Sequence, residues 1–178
     1  IMDTIRKTAK PVIDSLRKTG IEPIMLTGDN QRSGEYVANE VGITEVYGGL
    51  LPEDKVEKIE ELKKRYGSVA MVGDGVNDAP SLAAADVGIA MGARGSDVAI
   101  ETADIALMND TLESVPYVMR LGKRTLSTVK FNIFIAIASK AAFIGLVTVG
   151  ISNLGIAIAA DTGVAILVTL NGLRLFRG

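Results

Sequence analysis

The stretch Met71-Val72-Gly73-Asp74-Gly75-Val76-Asn77-Asp78-Ala79-Pro80 decides the fold of this chain. The apolar run 69–72 predicts a strand that ends at Gly73, and the segment 79–85 predicts a helix. The turn between them carries two carboxylates, Asp74 and Asp78. Mg²⁺ prefers oxygen ligands, commonly one or two carboxylates completed by water and substrate phosphate. The stretch therefore predicts a magnesium site for phosphate chemistry, and an acidic turn built from ordinary turn residues is the alternative.

Strand-like and helix-like segments alternate over residues 1–108. Helical spacing or helix start and stop signals predict helices at 5–19, 33–41 and 52–66. Short apolar runs predict strands at 23–26, 45–47, 69–72, 87–91 and 105–108. This alternation is typical of an α/β fold with a parallel sheet and helices on both faces, in which ligands bind at the carboxyl ends of the strands.

Two further segments at such positions indicate phosphate binding. Thr27 and Gly28 follow a predicted strand, where a hydroxyl and a free backbone N–H can hold phosphate oxygens. Lys55 lies in the first turn of a predicted helix, which is an unfavourable place for a purely structural cation. An ordinary turn at 27–29 and a solvated lysine beside Glu53 and Asp54 are the alternatives.

The second part of the chain is apolar and predicts two transmembrane helices. Only Lys140 and Asp161 are charged between Phe131 and Leu173. A break at 150–153 divides this part into spans 131–150 and 154–173, and each has about the 20 residues that cross a bilayer core. Residues 111–130 are predicted to connect them to the α/β part by a helix that begins near Pro116. A buried soluble hairpin is the alternative.

Basic residues flank both predicted spans and set their orientation. The break between the spans carries no charge, so the positive-inside rule places both ends of the segment in the cytoplasm of a multi-pass cell-membrane protein. The flanking residues are Arg120, Lys123, Arg124, Lys130, Arg174 and Arg177.

Composition excludes several classes of site. A net charge of −2, with basic residues dispersed among acidic ones, gives no support for a nucleic-acid partner. The chain has no Cys and no His, which excludes thiolate and imidazole metal ligands from it. Residues 1–10 are polar and mixed in charge, so no signal peptide is predicted. The start at Ile1 suggests a fragment or a processed piece.

Taken together, Thr27-Gly28-Asp29, Pro52-Glu53-Asp54-Lys55 and the motif 73–80 resemble the phosphorylation domain of P-type ATPases. These ATPases belong to the haloacid dehalogenase-like superfamily, and the resemblance continues through residues 85–92 into the apolar spans. It implies that residues 1–110 form part of a haloacid dehalogenase-like, Rossmann-like parallel sheet, followed by a two-helix transmembrane hairpin.

The resemblance implies a role for each matching position. Asp74 is the expected magnesium ligand, Asp78 completes or supports that site, and Asn77 orients contacts of the phosphate loop. Thr27 and Gly28 are the expected phosphate-binding pair with Asp29 as their neighbour, and Lys55 is the cation that stabilises charge on the transferred group. The implied cofactors are Mg²⁺ and ATP, with the nucleotide-binding domain outside this chain.

The aspartyl nucleophile of the family, in Asp-Lys-Thr-Gly-Thr, does not occur in this sequence, and neither does a Thr-Gly-Glu dephosphorylation loop. We therefore expect the C-terminal portion of a longer ATPase, inactive alone and partnered by the rest of its parent. In the family fold the nucleophile's strand lies between the strands that end here at Leu26 and Val72. A truncated partner-binding membrane subunit is the alternative, and an independent phosphatase is disfavoured because it also needs an aspartate nucleophile.

Lys140 and Asp161 lie at matching depths in the two predicted spans. Lys140 is 11 residues before Ile151 and Asp161 is 10 residues after it. At about 1.5 Å per residue both fall about 15–17 Å from the turn, near the middle of a core about 30 Å thick. Charges inside a span indicate function, and an ion pair that only joins the helices is the alternative.

Asn132 with Lys140, and Asp161-Thr162-Gly163, resemble the last two helices of the zinc-, cadmium- and lead-exporting heavy-metal ATPases. The resemblance implies that Asp161 is a ligand of the transported divalent metal and that Lys140 is its counter-charge when the metal has left. No Met and Ser pattern of the copper exporters occurs in 156–170. Copper is therefore disfavoured, while export of another cation stays open.

Overall fold

The computed structural model describes residues 5–74, 77–92, 97–109, 111–150 and 154–177. The chain divides into two compact units, Ile1–Pro116 and Tyr117–Gly178. Residues 75 and 76 of the decisive stretch, and residues 151–153 of the predicted break, lie outside the described part.

The first unit alternates helices and strands, as the sequence predicts. Its helices are α1 Ala9–Lys18, α2 Gln31–Val41, α3 Pro52–Tyr66, α4 Ala79–Ala84 and α5 Asp97–Thr102. Its strands are β1 Ile24–Leu26, β2 Glu45–Tyr47, β3 Ala70–Gly73, β4 Val87–Met91 and β5 Ile105–Leu107. All strand pairs are parallel, which confirms the α/β class.

The strands form two sheets where the sequence pattern alone predicts one. β1 pairs with β2, and β3, β4 and β5 form a second sheet in that order. Within the described part of the chain no strand joins β1 to β3, so each has one edge without a hydrogen-bonded neighbour. These are the two strands between which the family resemblance places the strand of the nucleophile.

Local sequence explains where the elements begin and end. α2 begins two residues earlier than predicted, because the Asn30 side chain accepts a hydrogen bond from the Ser33 N–H at 2.9 Å and caps the helix. α1 begins at Ala9 where the apolar spacing predicts residue 5, and Ile5 still packs against the core formed by Ala38, Val41 and Ile43. Burial of an apolar residue does not by itself require helical backbone.

The second unit contains two long helices. α6 Ser114–Thr148 has 35 residues and includes the predicted connecting helix and most of the first predicted span without a break. α7 Leu154–Leu173 has 20 residues and is followed by a short 3₁₀ helix, Arg174–Arg177. Both helices are long and apolar enough to cross a membrane, and neither apolar window is buried within the described structure. That exposure disfavours the alternative of a buried soluble hairpin.

Candidate functional site

The loop after β1 holds Thr27 in a network of backbone hydrogen bonds. The Thr27 N–H donates to the Tyr47 carbonyl at 2.9 Å, and the Thr27 carbonyl accepts from the Leu50 N–H at 3.1 Å. The Thr27 hydroxyl oxygen accepts from the Asp29 N–H at 3.1 Å, which fixes the turn that leads into α2. Thr27 is half-buried, while Gly28 and Asp29 are exposed. The hydroxyl and the next backbone N–H thus lie at the carboxyl end of a strand and one turn from a helix start.

The same loop contacts the segment that starts α3. A Cβ placed on Gly28 would lie 3.5 Å from the Leu50 carbonyl oxygen, which is ordinary van der Waals contact. Gly28 also has no positive φ, so neither space nor backbone in the described structure requires glycine there. The next residue, Leu51, donates its N–H to Asp54 Oδ2 at 2.9 Å and begins α3. Thr27 and Asp29 of the loop accept hydrogen bonds from the Leu50 and Gly49 N–H groups, which lie just before the helix that carries Lys55.

Lys55 and Asp78 form an ion pair at the carboxyl end of β3. Lys55 Nζ lies 2.6 Å from Asp78 Oδ1, and the two side chains are only 15% and 17% exposed. Asp78 in turn lies directly over Gly73, where a Cβ would come within 2.8 Å of Asp78 Oδ2 and 2.9 Å of its Cβ. Such distances leave no room for a side chain, so the glycine at the strand end is what lets this carboxylate pack there.

Asp74 and Asn77 are both exposed and contact each other across the turn. The Asn77 N–H donates to Asp74 Oδ1 at 3.3 Å. That bond holds the Asp74 carboxylate close to the turn, on the same loop as Asp78. The predicted role of Asn77 in orienting the loop is compatible with this contact, although it is the backbone of Asn77 that makes it.

The donor set fits Mg²⁺ without forming a closed cage. Asp74 and Asp78 offer hard carboxylate oxygens on one strand-end loop, as Mg²⁺ sites require, and Mg²⁺ usually keeps several waters and a phosphate oxygen as further ligands. Within the described residues no group of three or more acidic side chains could hold a metal. An open site that a substrate phosphate completes is therefore the arrangement these two residues allow.

Not all predicted phosphate-binding groups touch one another. Among the described residues no hydrogen bond joins Thr27 to Lys55 or to Asp78. Groups that bind different oxygens of one phosphoryl group need no mutual contact, whereas Lys55 needs a partner to offset its half-buried charge. The structure therefore supplies a positioned ammonium, a hydroxyl with a neighbouring N–H, and two carboxylates near strand ends of one unit.

The second unit brings the predicted membrane pair together. Lys140 Nζ on α6 lies 2.5 Å from Asp161 Oδ1 on α7, and the two side chains are 61% and 59% exposed. A second polar link lies further along the helices. Asn132 Nδ2 donates to the Val168 carbonyl at 3.3 Å, and Asn171 Nδ2 donates to Asn132 Oδ1 at 2.7 Å.

Sequence reasoning missed two of these contacts. The Lys55–Asp78 pair joins residues 23 positions apart, and nothing in the spacing indicates it. Asn171 was not singled out, although a polar amide within an apolar helix of membrane-spanning length is a recognisable signal of an interhelical contact.

Known proteins match this chain over nearly its whole length. A family model of haloacid dehalogenase-like hydrolases matches residues 1–86. The chain is 50% identical over 178 residues to a probable cadmium-transporting ATPase of Listeria monocytogenes, covering 99% of this chain and 25% of that protein. It is 44% identical over 177 residues to a zinc/cadmium/lead-transporting P-type ATPase of Escherichia coli (strain K12), covering 99% of this chain and 24% of that protein.

A solved structure has the same fold over nearly the whole chain. A crystal structure of a zinc-transporting PIB-type ATPase in the E2.Pi state matches with a TM-score of 0.91 and 44% identity, over 98% of this chain and 28% of that one. The chain thus spans about a quarter of the length of the curated relatives it matches. The similarity extends through both units, and the chain belongs to the heavy-metal P-type ATPases.

Proposed function

We propose that this chain is part of an ATP-driven exporter of divalent heavy-metal ions of the Zn²⁺, Cd²⁺ and Pb²⁺ class that works through an aspartyl-phosphate intermediate. The observation that carries the proposal is the Lys140–Asp161 contact between two apolar helices. A carboxylate with a built-in cationic partner suits a site that a divalent cation fills and leaves. The near-complete coverage by relatives named as cadmium and zinc transporters supports the same cargo class.

In the first unit, the proposed role of this chain is to bind and neutralise the phosphoryl group during transfer. The Thr27 hydroxyl and the Gly28 N–H bind phosphate oxygens, and Asp29 supports the turn between them and α2. Glycine at position 28 lets the phosphate approach the backbone, which explains a glycine that packing does not require. Lys55 offsets negative charge on the transferring group.

Asp74 and Asp78 would hold the Mg²⁺ ion, which when bound supplies charge neutralisation at the phosphoryl oxygens. Asp78 has a second task in this proposal, because its Oδ1 holds the Lys55 ammonium at 2.6 Å and so fixes the direction of that cation. The Asn77 backbone keeps Asp74 on the turn. ATP and the aspartate nucleophile are supplied by parts of the parent ATPase outside these motifs, so this chain alone is inactive.

In the second unit, Asp161 binds the transported ion and Lys140 neutralises Asp161 when the ion has left. An unpaired carboxylate within the hydrocarbon region is costly, and the nearby ammonium removes that cost. The helices lie in the bilayer of a cell membrane, with both ends of the segment in the cytoplasm as the flanking basic residues indicate. The partners of this chain are then the lipid bilayer, the divalent ion and the remainder of the parent ATPase.

The test uses the full-length parent carrying Asp161→Ala. We expect metal-stimulated ATP hydrolysis to fall to the unstimulated level, while phosphorylation by inorganic phosphate persists because the first unit is unchanged. Thr169→Ala is the matched control on the same helix, since the Thr169 hydroxyl bonds to the carbonyl of Ala165 in its own helix. If metal stimulation survived in Asp161→Ala, Asp161 would not be a transport ligand.

A further inference from the structure

A polar cleft lies between α6 and the end of α7 in the second unit. Its volume is about 330 Å³. One wall comes from successive turns of α6 and the other from the end of α7 with the 3₁₀ helix. The lining residues are Leu121, Arg124, Ser127, Thr128, Asn171, Arg174 and Leu175.

The cleft concentrates positive charge and hydrogen-bond donors. Arg124 and Arg174 come from opposite walls, and within the described part of the chain neither guanidinium is paired with a carboxylate. No acidic residue lines the cleft. Two hydroxyls, of Ser127 and Thr128, complete the donor set. Guanidinium groups bind phosphate oxygens through paired, charge-assisted hydrogen bonds, so a phosphate group is the ligand that this set suits best.

The position of the cleft along the helices favours the phosphate of a lipid. Arg174 directly follows the last residue of α7, and Arg124 is seven residues before Phe131, where the apolar run begins, which is about 10 Å along a helix. If the apolar runs fill the hydrocarbon region, Arg174 lies within the headgroup layer, which is about 5–7 Å thick on each side. Arg124 lies just outside that layer, and its long side chain lines the same cleft. Phosphate groups at this level of a membrane belong to the lipid headgroups, so the position of the cleft favours a lipid over free phosphate or an acidic peptide.

Hydrogen bonds between two asparagines and the facing helix join α6 and α7 beside the cleft. Asn171 lines the cleft and donates to Asn132 Oδ1 at 2.7 Å, while Asn132 donates to the Val168 carbonyl at 3.3 Å. These bonds hold α6 and α7 together beside the cleft, so its two walls do not need to be assembled by the ligand. Such preorganisation lowers the entropic cost of binding.

We propose that this cleft binds the phosphate of one anionic phospholipid, held between Arg124 and Arg174 at the cytoplasmic face. Basic pockets between transmembrane helices on that side are suited to anionic headgroups. The inference rests on the membrane-spanning part of the proposed function and is independent of which ion is transported.

The test purifies the full-length parent in a mild detergent from membranes that contain both zwitterionic and anionic lipids. Retained phospholipid is identified by mass spectrometry and quantified per chain. We expect one anionic phospholipid per wild-type chain and a loss of about tenfold or more in Arg124→Gln/Arg174→Gln, because charge-assisted hydrogen bonds are removed. Ser127→Phe keeps the charge but fills the cleft, and the same loss is expected.

Arg120→Gln/Lys130→Gln is the matched control, since it removes the same charge from exposed positions outside the cleft. It should retain the lipid. Equal loss in this control, retention in the cleft variants, or no stoichiometric phospholipid in the wild type would each overturn the proposal; the last outcome would indicate a neighbouring protein segment in the cleft. Displacement of the lipid by millimolar inorganic phosphate would assign the cleft to free phosphate instead.

Monodisperse elution of each variant in size-exclusion chromatography shows that the variant is folded, so that loss of the lipid is not caused by unfolding. Metal-stimulated ATP hydrolysis of the wild type is measured in parallel. Retained lipid without metal stimulation would contradict the proposed cargo and leave the lipid site standing, so failures of the two proposals are distinguishable.

Discussion

In the described structure a Lys–Asp pair closer than 3 Å lies in each unit, and these two pairs differ in what surrounds them. Lys55 and Asp78 are 15% and 17% exposed, so the first unit itself encloses their charges. Lys140 and Asp161 are 61% and 59% exposed although their atoms are as close. The described structure therefore does not enclose the second pair, and under the proposed function lipid or other helices of a longer ATPase would surround it.

Backbone hydrogen bonding is more complete in the second unit than in the first. α6 and α7 satisfy their interior backbone hydrogen bonds within each helix, which is the condition for a membrane-spanning segment. The first unit instead leaves β1 and β3 as edges of two separate sheets in the described structure. The first unit therefore encloses its Lys–Asp pair but leaves two strand edges unpaired. The second unit satisfies the backbone hydrogen bonds of its helices but leaves its Lys–Asp pair exposed.

The largest expected effect tests the unpaired edges of β1 and β3. Residues 1–110 produced alone should aggregate or unfold at low temperature, because β1 and β3 each expose a strand edge. Size-exclusion chromatography and thermal unfolding followed by circular dichroism measure this, with the parent's complete cytosolic region as the control. A monodisperse, cooperatively unfolding 1–110 piece would show that the sheet closes without a further strand.

The next effect tests the enclosed pair. Lys55→Met in the full-length parent should lower metal-stimulated ATP hydrolysis by about 10²–10³-fold, because a positioned cation at the transferring phosphoryl group is lost. Lys58→Met is the matched control, since Lys58 lies on the same helix with its ammonium 4.4 Å from the centre of the Tyr47 ring. If Lys55→Met kept near wild-type turnover, the Lys55–Asp78 pair would be a structural contact without a role in phosphoryl transfer.

Much of the first unit is predictable from sequence because local signals decide its elements. Strand ends at Leu26 and Gly73 and the Pro52 start of α3 follow from apolar runs, glycine and proline. The division into two sheets could not be predicted from periodicity, because periodicity describes single segments and not which strands pair. The Lys55–Asp78 pair was missed for the same reason, as it depends on how α3 packs beside the loop after β3.

In the second unit, the sequence predicted the partner of each charge but not the whole set of links between the helices. Lys140 and Asp161 are recognisable because charges are rare in apolar runs. The Asn132–Asn171 contact could have been expected in kind, since each amide lies in an apolar helix, but the sequence does not show which groups the two amides join. The bounds of α6 show a further limit: a single helix of 35 residues contains both the predicted connector and most of a span, since no helix-breaking residue separates them.

A smaller effect tests the exposed pair by exchanging its charges. Lys140→Asp with Asp161→Lys should restore the α6–α7 contact that either single change weakens, by about 0.5–2 kcal/mol, as for polar contacts between membrane helices. It should not restore metal-stimulated ATP hydrolysis, because the carboxylate then lies on the wrong helix. A double-mutant cycle of thermal stability in detergent measures the helix–helix contact, and ATP hydrolysis measured in parallel reports on the transport role of Asp161. Recovered hydrolysis would support the purely structural ion pair.

The smallest effect concerns a hydrogen-bonded network in the first unit, centred on the half-buried Glu45. Its carboxylate accepts from the Tyr47 hydroxyl at 2.6 Å, the Arg65 guanidinium at 2.7 Å and the Tyr66 hydroxyl at 3.1 Å. The Tyr47 hydrogen bond is the main cause that lowers the pKa of Glu45 below its ordinary value of 4.5, with partial burial opposing it.

Because the folded-state pKa of Glu45 is lowered, the contribution of its carboxylate to stability is present above pH 4.5 and is lost as the pH falls through the lowered pKa. The thermal midpoint of Glu45→Gln should therefore lie slightly below that of the wild type at neutral pH, and the difference should shrink as the solution is acidified. Tyr47→Phe should reduce the pH dependence, since it removes the main cause of the shift. A difference that grew on acidification would contradict this sign, and a large neutral-pH difference would show that this network matters as much to stability as the Lys55–Asp78 pair.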